Sequence, residues 1–479
     1  VGGVVQIITR RGSGAPHLNA HLAVGGFGSS QAQLSFGGAT GAWDYAAGIG
    51  RENTDGVSAL RPGDRFGNYN PDRDGFERDS LHLRGGLAVA PGHRIGASLL
   101  RSRLRSQFDS SEFLPPGFAQ DATPDFRNRF DTEVGSLDYR GALSSQWVST
   151  VQLSSQRDDL VTGANAIDEY RTRRRQLTWQ NALTPLPGQQ FVGAVERLDE
   201  TVEATPYAGR ADRDNTALVL GYTGTFGVHR LQADLRHDRN SVHGNVDTGK
   251  LGWTMDLLPG LTLRAVAGTA FRAPSFNELF FPGFGVATLQ PERSRSVEAG
   301  LQWRAVDSSA GITLYRNRVR ELIAYEPDRS FCPADPAYDF GCARNINRAR
   351  LQGATLSAAR RVGEFGLRLT WDLLDAKDSA TGQRLARRAA HQSQIEVDWT
   401  RGRAMLGASL LAVGARPEAG ATLAAYETLD LQARWRLSPT WQIEGRLLNA
   451  FDRDYQPARD FQSIGRQAWL GVRYQGAGL

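Results

Sequence analysis

Apolar and polar residues alternate one by one along almost the whole chain, in segment after segment. In residues 429–437 every odd position is apolar and every even position is polar or charged. The pattern returns in residues 395–399, 441–447 and 297–303. Because successive side chains of a β-strand point to opposite faces, each segment predicts a strand with one apolar and one polar face. The chain is therefore predicted to be an all-β protein.

Two architectures use strands of this kind. A soluble sandwich or propeller buries the apolar face in a protein core, whereas a membrane barrel turns it toward lipid and keeps the polar face inside. The polar face is heavily charged here, which suits a water-filled lumen. Trp and Tyr fall near the ends of the predicted strands, where the two membrane interfaces would lie. These aromatic residues are Trp43, Tyr45, Trp303, Trp371, Trp399, Trp435, Trp441 and Trp469.

The predicted connections alternate in length, which also favours the membrane barrel. Short turns at residues 90–93, 186–188, 258–260 and 437–440 alternate with long polar loops at 54–76, 107–127, 326–345 and 453–465. Short periplasmic turns and long outer loops are typical of outer-membrane barrels. We predict a transmembrane antiparallel β-barrel of about 22 strands, a size at which the lumen is plugged. No apolar run reaches the roughly 18 residues that a membrane-spanning helix needs.

The only two cysteines, Cys332 and Cys342, stand in a polar, proline-containing segment. Two neighbouring cysteines in one predicted loop favour a local disulfide in an oxidising compartment, although two free thiols would give the same sequence. The net charge of +5 over 479 residues is small. Since basic residues are not interleaved with stacking aromatics, no nucleic-acid partner is expected.

Four segments together resemble the TonB-dependent outer-membrane receptors, and their vitamin B12 branch in particular. Residues 1–10 are similar to the last strand of that family's plug domain. The segment containing Phe271, Arg272, Ala273 and Pro274 is similar to the family's barrel motif, and we expect its Arg and Pro to fix a strand end rather than contact substrate. Residues 384–392 and 448–455 resemble a strand start of the vitamin B12 branch and the family's C-terminal region.

The resemblance implies active import across the bacterial outer membrane by a monomer. The substrate would be cobalamin or an iron–siderophore complex, and the TonB energy-transducing complex would act from the periplasm through a segment preceding Val1. We assign residues 1–10 to the end of a plug whose remainder is expected upstream, and residues 11–479 to the receptor barrel.

Carboxylates are crowded in the predicted loop at residues 53–75, where Asp55, Asp72 and Asp74 match the acidic pattern that vitamin B12 receptors use to bind calcium. Calcium takes six to eight oxygen ligands. The next predicted loop begins near Arg101–Arg105 and is basic, with Asp109 as the only nearby acid. A solvated acidic loop balanced by its own arginines is the alternative to a calcium site.

Two function classes other than an active importer remain open at this stage, a passive diffusion pore and an outer-membrane hydrolase. The chain has no Gly-x-Ser-x-Gly segment and no phosphate-binding loop. Its eight histidines lack the spacing of zinc ligands. We therefore expect no enzymatic activity and assign no catalytic residues.

Overall fold

A computed structural model describes residues 11–114, 119–121, 123–207, 209–418 and 420–476. Within them, 22 strands form one closed antiparallel sheet. The predicted all-β transmembrane barrel is thereby confirmed in its class and in its number of strands. The prediction of a plug strand at residues 1–10 lies outside the described residues.

The strands of the chain are β1 (His17–Gly25), β2 (Ser29–Thr40), β3 (Trp43–Thr54), β4 (Phe76–Ala90), β5 (His93–Phe108), β6 (Phe113–Leu114), β7 (Ala119–Gln120), β8 (Phe126–Ala142), β9 (Trp147–Gly163), β10 (Ile167–Leu186), β11 (Gln189–Ala204), β12 (Ala211–Phe226), β13 (His229–Asn240), β14 (Gly244–Leu258), β15 (Leu261–Arg272), β16 (Glu292–Arg304), β17 (Ser308–Glu326), β18 (Cys342–Val362), β19 (Phe365–Asp378), β20 (His391–Arg401), β21 (Ala404–Val413), β22 (Arg416–Glu418), β23 (Ala421–Leu423), β24 (Tyr426–Arg436), β25 (Trp441–Leu448) and β26 (Gln467–Gly476). The pairs β6–β7 and β22–β23 are small separate hairpins in loops.

One helix, α1 (Phe276–Phe280), lies in the loop between β15 and β16. Two short 3-10 helices, Arg329–Phe331 and Pro336–Tyr338, lie in the loop between β17 and β18. Among the residues described, no helix is both long enough and apolar enough to cross a membrane.

Short turns join the strands at one end of the barrel, and all the long loops lie at the other end. At Pro91-Gly92, Pro187-Gly188 and Pro259-Gly260 the proline presets the turn and the glycine takes a positive φ, between 75° and 80°. Glycine adopts that conformation without the steric strain that a side chain would add. The long connections at the opposite end include residues 55–75, 273–291, 327–341 and 449–466.

The two faces of each strand meet different surroundings. On β8, Leu137 points outward with 58% of its surface exposed, while the adjacent Asp138 points into the lumen. There Arg94 binds Asp44 at 2.7 Å and Asp138 at 3.4 Å. Exposed leucines outside and paired charges inside are the reverse of a soluble β-protein and suit a lipid-embedded wall.

The barrel closes where the first strand meets the last. Residues 18–25 of β1 pair with residues 469–476 of β26. On the lumen side of this seam, Glu444 lies 2.5 Å from His21 and 3.6 Å from Arg473. Closure leaves no free edge, so every barrel strand has a hydrogen-bonded neighbour on both sides, as a lipid environment requires.

Candidate functional site: the outer loops

The long loops bring three carboxylates together. Asp72 and Asp74, before β4, meet Asp109, which follows β5, and one oxygen from each lies within 4.8 Å of the others. The sequence interpretation named Asp55 with Asp72 and Asp74, but the structure places Asp55 outside this group. The carboxylate of Asp55 lies 3.5 Å from the guanidinium of Arg73 instead. Asp109, noted in the sequence only as a nearby acid, takes the third position.

Backbone groups of the same loop hold these carboxylates in place. Asp74 accepts a hydrogen bond from the amide of Ala59 at 2.5 Å. Asp109 accepts from the amides of Leu60 and Asn70, at 2.8 and 3.1 Å, so it joins two parts of the preceding loop. The cluster is therefore a fixed part of the loop fold.

Mutual repulsion and burial make the charged forms of Asp72 and Asp74 unfavourable. Burial, with the negative charges of Asp109 and Asp72, raises the pKa of Asp74 to about 6. Burial and the charge of Asp109 also raise the pKa of Asp72. In the part of the chain that the structure describes, Oδ1 of Asp72 is buried without a hydrogen-bond partner. A buried carboxylate oxygen without a partner costs free energy that a bound cation would offset.

The donor set fits calcium. Calcium lies 2.3–2.6 Å from its oxygen ligands, so two ligands of one ion are at most about 5 Å apart. The spacing within 4.8 Å meets that limit. The group contains only carboxylates, and oxygen-only sites favour hard cations over zinc or copper. Asp72, Asp74 and Asp109 would be the protein ligands, and further oxygens would come from backbone or water.

The Phe271–Pro274 motif lies at the outer end of β15 and anchors the following loop. Arg272 binds Glu292 at 2.7 Å and Glu278 at 2.9 Å. Glu278 also closes a capping box with Ser275 at the start of α1. Pro274 is fully buried, and its carbonyl accepts a hydrogen bond from Arg213 at 2.8 Å. These contacts are those of a loop anchor at a strand end, and the expectation that the motif does not contact substrate stays a prediction.

A small apolar cluster lies beneath the same loop. Leu279 of α1 packs with Leu289 and Ala343, and Phe284, Val286 and Ile323 surround them. Sequence reasoning missed this cluster because its members come from three separate segments with no shared period. The pairing of Tyr207 with Asn277, which links the β11–β12 loop to α1, was missed for the same reason.

The disulfide lies in the neighbouring loop, where the structure joins Cys332 to Cys342 with their Cα atoms 5.8 Å apart. Arg344 lies over the ring of Phe331, 4.0 Å from its centroid. The hydroxyl of Tyr338 donates to the carbonyl of Gly285 at 2.7 Å, which joins this loop to the α1 loop. Together the two loops form one packed unit above β15–β18.

The arginines that the sequence placed in a loop lie elsewhere. Arg101, Arg103 and Arg105 belong to β5, which continues to Phe108. They share the outward face of Ile95, and Arg103 binds Asp131 of β8 at 2.6 Å. They therefore lie on the outer wall of the barrel and do not line the opening to the lumen.

Comparison with known proteins gives a consistent family. Residues 19–450 match the family model described as TonB dependent receptor-like, beta-barrel. The chain is 26% identical over 482 residues to the vitamin B12 transporter BtuB of Photobacterium profundum, covering 99% of this chain and 76% of that protein. It is 25% identical over 510 residues to the BtuB protein of Vibrio cholerae, with the same coverage.

Solved structures share the fold at lower identity. A mutant of the ferric enterobactin receptor from Pseudomonas aeruginosa, in complex with enterobactin, superposes with a TM-score of 0.85 at 16% identity, covering 99% of this chain and 83% of that one. The copper transporter OprC superposes with a TM-score of 0.80 at 16% identity, covering 98% and 84%.

Proposed function

Because the chain belongs to the TonB-dependent receptor family of the bacterial outer membrane, we propose that it imports a cobalamin. The family consists of transporters and receptors, which agrees with the expectation that the chain is not an enzyme. Two vitamin B12 transporters are similar to it over 99% of its length. Energy would come from the TonB complex acting from the periplasm.

The observation that carries this proposal is the group formed by Asp72, Asp74 and Asp109. Bound calcium would neutralise the three carboxylates and fix the loop at residues 55–75 above the lumen. An ordered loop loses less conformational entropy when a bulky substrate binds, so the affinity for that substrate rises. The protein residues hold the ion and position the loop, and the substrate would contact the ordered loop.

An iron–siderophore complex is the alternative substrate, because structures of the same fold include ferric enterobactin receptors. The basic residues do not favour it, since Arg101, Arg103 and Arg105 lie on the outer wall. A substrate inside the lumen would not reach them.

Cyanocobalamin binding to the full chain in detergent, titrated with calcium or with a chelator, tests the proposal. We expect tight binding that weakens at least tenfold on chelation, and Asp72→Asn with Asp109→Asn should reproduce that weakening. Asp55→Asn is the matched control, because Asp55 lies in the same loop but outside the group. Cyanocobalamin binding by the Asp55→Asn variant should still depend on calcium.

The other outcomes separate the parts of the proposal. Tight cyanocobalamin binding that ignores calcium would keep the substrate and discard the metal. Binding of ferric enterobactin without cyanocobalamin would replace cobalamin by a siderophore. Uptake by cells that lack the TonB complex, at the rate of normal cells, would contradict active transport.

A further inference from the structure

The outer wall of the barrel carries an open apolar groove of about 890 Å³ across strands β3–β5 and β8–β11. We call it the wall groove. Its outward-facing lining consists of small residues between leucines, and it ends at arginine. The lining includes Ala47, Gly85, Ala97, Gly135, Leu83, Leu137, Leu153, Leu177, Arg175 and Arg197.

Strand register explains the groove. Gly85 lies between Tyr45 and Ala97 on neighbouring strands, and Gly135 lies between Leu99 and Ser155. A Cβ atom on either glycine would meet no atom within 4 Å. The absence of side chains at these positions therefore leaves an apolar channel in the wall that runs across the strands.

The polarity of the groove changes at its outer end. On β10, Leu177, Trp179 and Leu183 point outward between the short turn and the middle of the strand. Arg175 and Arg173 continue the same face toward the outer end. An amphiphile in the groove would therefore have its head group at the outer surface, which places it in the outer leaflet.

Two arginines, Arg173 and Arg175, lie at this end of the groove. Arg173 lies directly opposite Arg157 across the β9–β10 pair, and Arg157 is bound by Asp159 at 2.6 Å. Asp199, opposite Arg175, is bound by Arg197 at 2.8 Å. Among the described side chains, Arg173 and Arg175 form no ion pair or hydrogen bond, and both are exposed. Arg173 therefore has like charges near it, from Arg157 across the strands and from Arg175 two residues along the same face, and an anion bound there would offset their repulsion.

A polar cleft of about 1130 Å³ continues above the groove at the outer ends of the same strands. Its lining includes Arg51 and Arg105, the carboxylates of Glu77 and Asp125, and Asn165. Arginines, carboxylates and amides can all hydrogen-bond sugar hydroxyls, so a cleft of this kind beside an apolar channel matches a ligand with a sugar head and acyl chains.

We propose that this wall binds a phosphorylated glycolipid of the outer leaflet, of the lipid A type. Its acyl chains lie in the wall groove, a phosphate sits between Arg173 and Arg175, and the sugar reaches the polar cleft. Guanidinium groups bind phosphate with charge-assisted hydrogen bonds, and each buried CH₂ of an acyl chain adds to the affinity. The wall groove and the two arginines are on the outside of the barrel and are separate from the lumen.

Native mass spectrometry of the delipidated full chain, titrated with bisphosphorylated lipid A, tests the proposal. The same titration is made with lipid A stripped of phosphate and with phosphatidylglycerol. We expect binding of the bisphosphorylated form alone. Arg173→Gln with Arg175→Gln should weaken it roughly tenfold or more, since one charge-assisted hydrogen bond is worth about a factor of ten.

Two control variants test the contributions of the groove and of the arginine charge separately. Gly135→Leu fills the wall groove and should also weaken binding, whereas Gly193→Leu should not, because Gly193 faces outward with equal space but lies outside the groove. Arg239→Gln removes an exposed outward arginine on β13 and should leave binding unchanged. Heat-dependent gel mobility shows which variants are folded, and the arginine pair still tests the proposal if Gly135→Leu does not fold.

Three results would overturn the proposal. Equal binding of dephosphorylated lipid A would remove the phosphate contact. Equal binding of phosphatidylglycerol would show an unselective lipid surface. Unchanged binding in both the Gly135 and the arginine variants would place the lipid elsewhere on the barrel.

Discussion

Asp74 shows how a single carboxyl group can report on the outer loop. Its pKa is raised to about 6 by burial and by the neighbouring Asp109 and Asp72, against about 3.9 in an unfolded chain. Folding the loop therefore favours the protonated acid. The contribution of Asp74 to the stability of the folded loop is complete below about pH 4 and is lost as the pH rises through about 6.

We predict that, in chelator, amide hydrogen exchange of residues 55–62 is slower at pH 4.5 than at pH 7.5, after correction for intrinsic rates. The amide of Ala59 reports directly, because it donates to Asp74. Asp74→Asn should remove most of this pH dependence, since the amide does not titrate. A variant with the pH dependence of the native chain would show that another group controls the loop.

Arg272 is the residue on which the α1 loop depends. Its guanidinium is the counter-charge of Glu292, whose side chain is only 4% exposed, and of Glu278. We predict that Arg272→Gln destabilises the folded barrel by about 3 kcal/mol, because it removes the positive counter-charge of a buried carboxylate. Urea-dependent loss of the heat-modifiable gel band measures the effect.

Glu292→Gln in the Arg272→Gln background is the control for that measurement. It removes the isolated charge and should recover part of the loss. If the double variant is less stable than the single one, Arg272 acts through packing and not through charge. The sequence indicated that this motif matters but could not give its partners, because Glu292 is 20 residues away and is reached only across the loop.

The strands were the most predictable elements, because alternation is a direct consequence of strand geometry. Prediction failed where the apolar face ends. Residues 101–105 were read as the start of a loop because arginines stand at the alternate positions where the strand pattern expects apolar residues. However, β5 continues through them, and Arg103 pairs with Asp131 on the neighbouring strand. The hairpins β6–β7 and β22–β23 are too short to give a periodic signal, and they form through loop contacts.

Strand β24 gives a test of the inside and outside faces. Leu431 faces outward and Gln432 faces the lumen, opposite Arg446. We predict that Leu431→Arg costs roughly 2–4 kcal/mol, because it places a charge near the membrane midplane, while Gln432→Arg costs much less. Folding into lipid vesicles at increasing urea measures both. Equal costs would contradict the assignment of the faces.

For the whole molecule, the seam between β1 and β26 decides whether the sheet is a barrel. Alternation predicts the strands and their approximate number, but it does not say that the first pairs with the last. That pairing joins residues more than 440 positions apart in the chain, as between Ala23 and Gly471, and no local pattern encodes it.

We predict that Glu444→Ala weakens barrel closure. Glu444 is buried in the seam with His21 at 2.5 Å and Arg473 at 3.6 Å, so its loss leaves both groups without their shared partner. The expected cost is about 1–3 kcal/mol. It would appear as a lower temperature for loss of the folded gel band, and Glu427→Ala on β24, outside the seam, is the comparison. If the two changes lower this temperature equally, the contacts at the seam are no more important for stability than those elsewhere in the barrel.

The connections at the two ends of the barrel differ in length, and this difference determines which parts of the sequence can change during evolution. Lengthening a flexible loop is inexpensive, since doubling its length costs only about 0.6 kcal/mol, whereas a change in a strand shifts every pair in its register. New binding preferences, and escape from phages or antibodies, can therefore arise by remodelling segments such as residues 55–75 and 449–466 while the wall stays the same. Descendants of one such barrel can diverge in cargo long before they diverge in architecture.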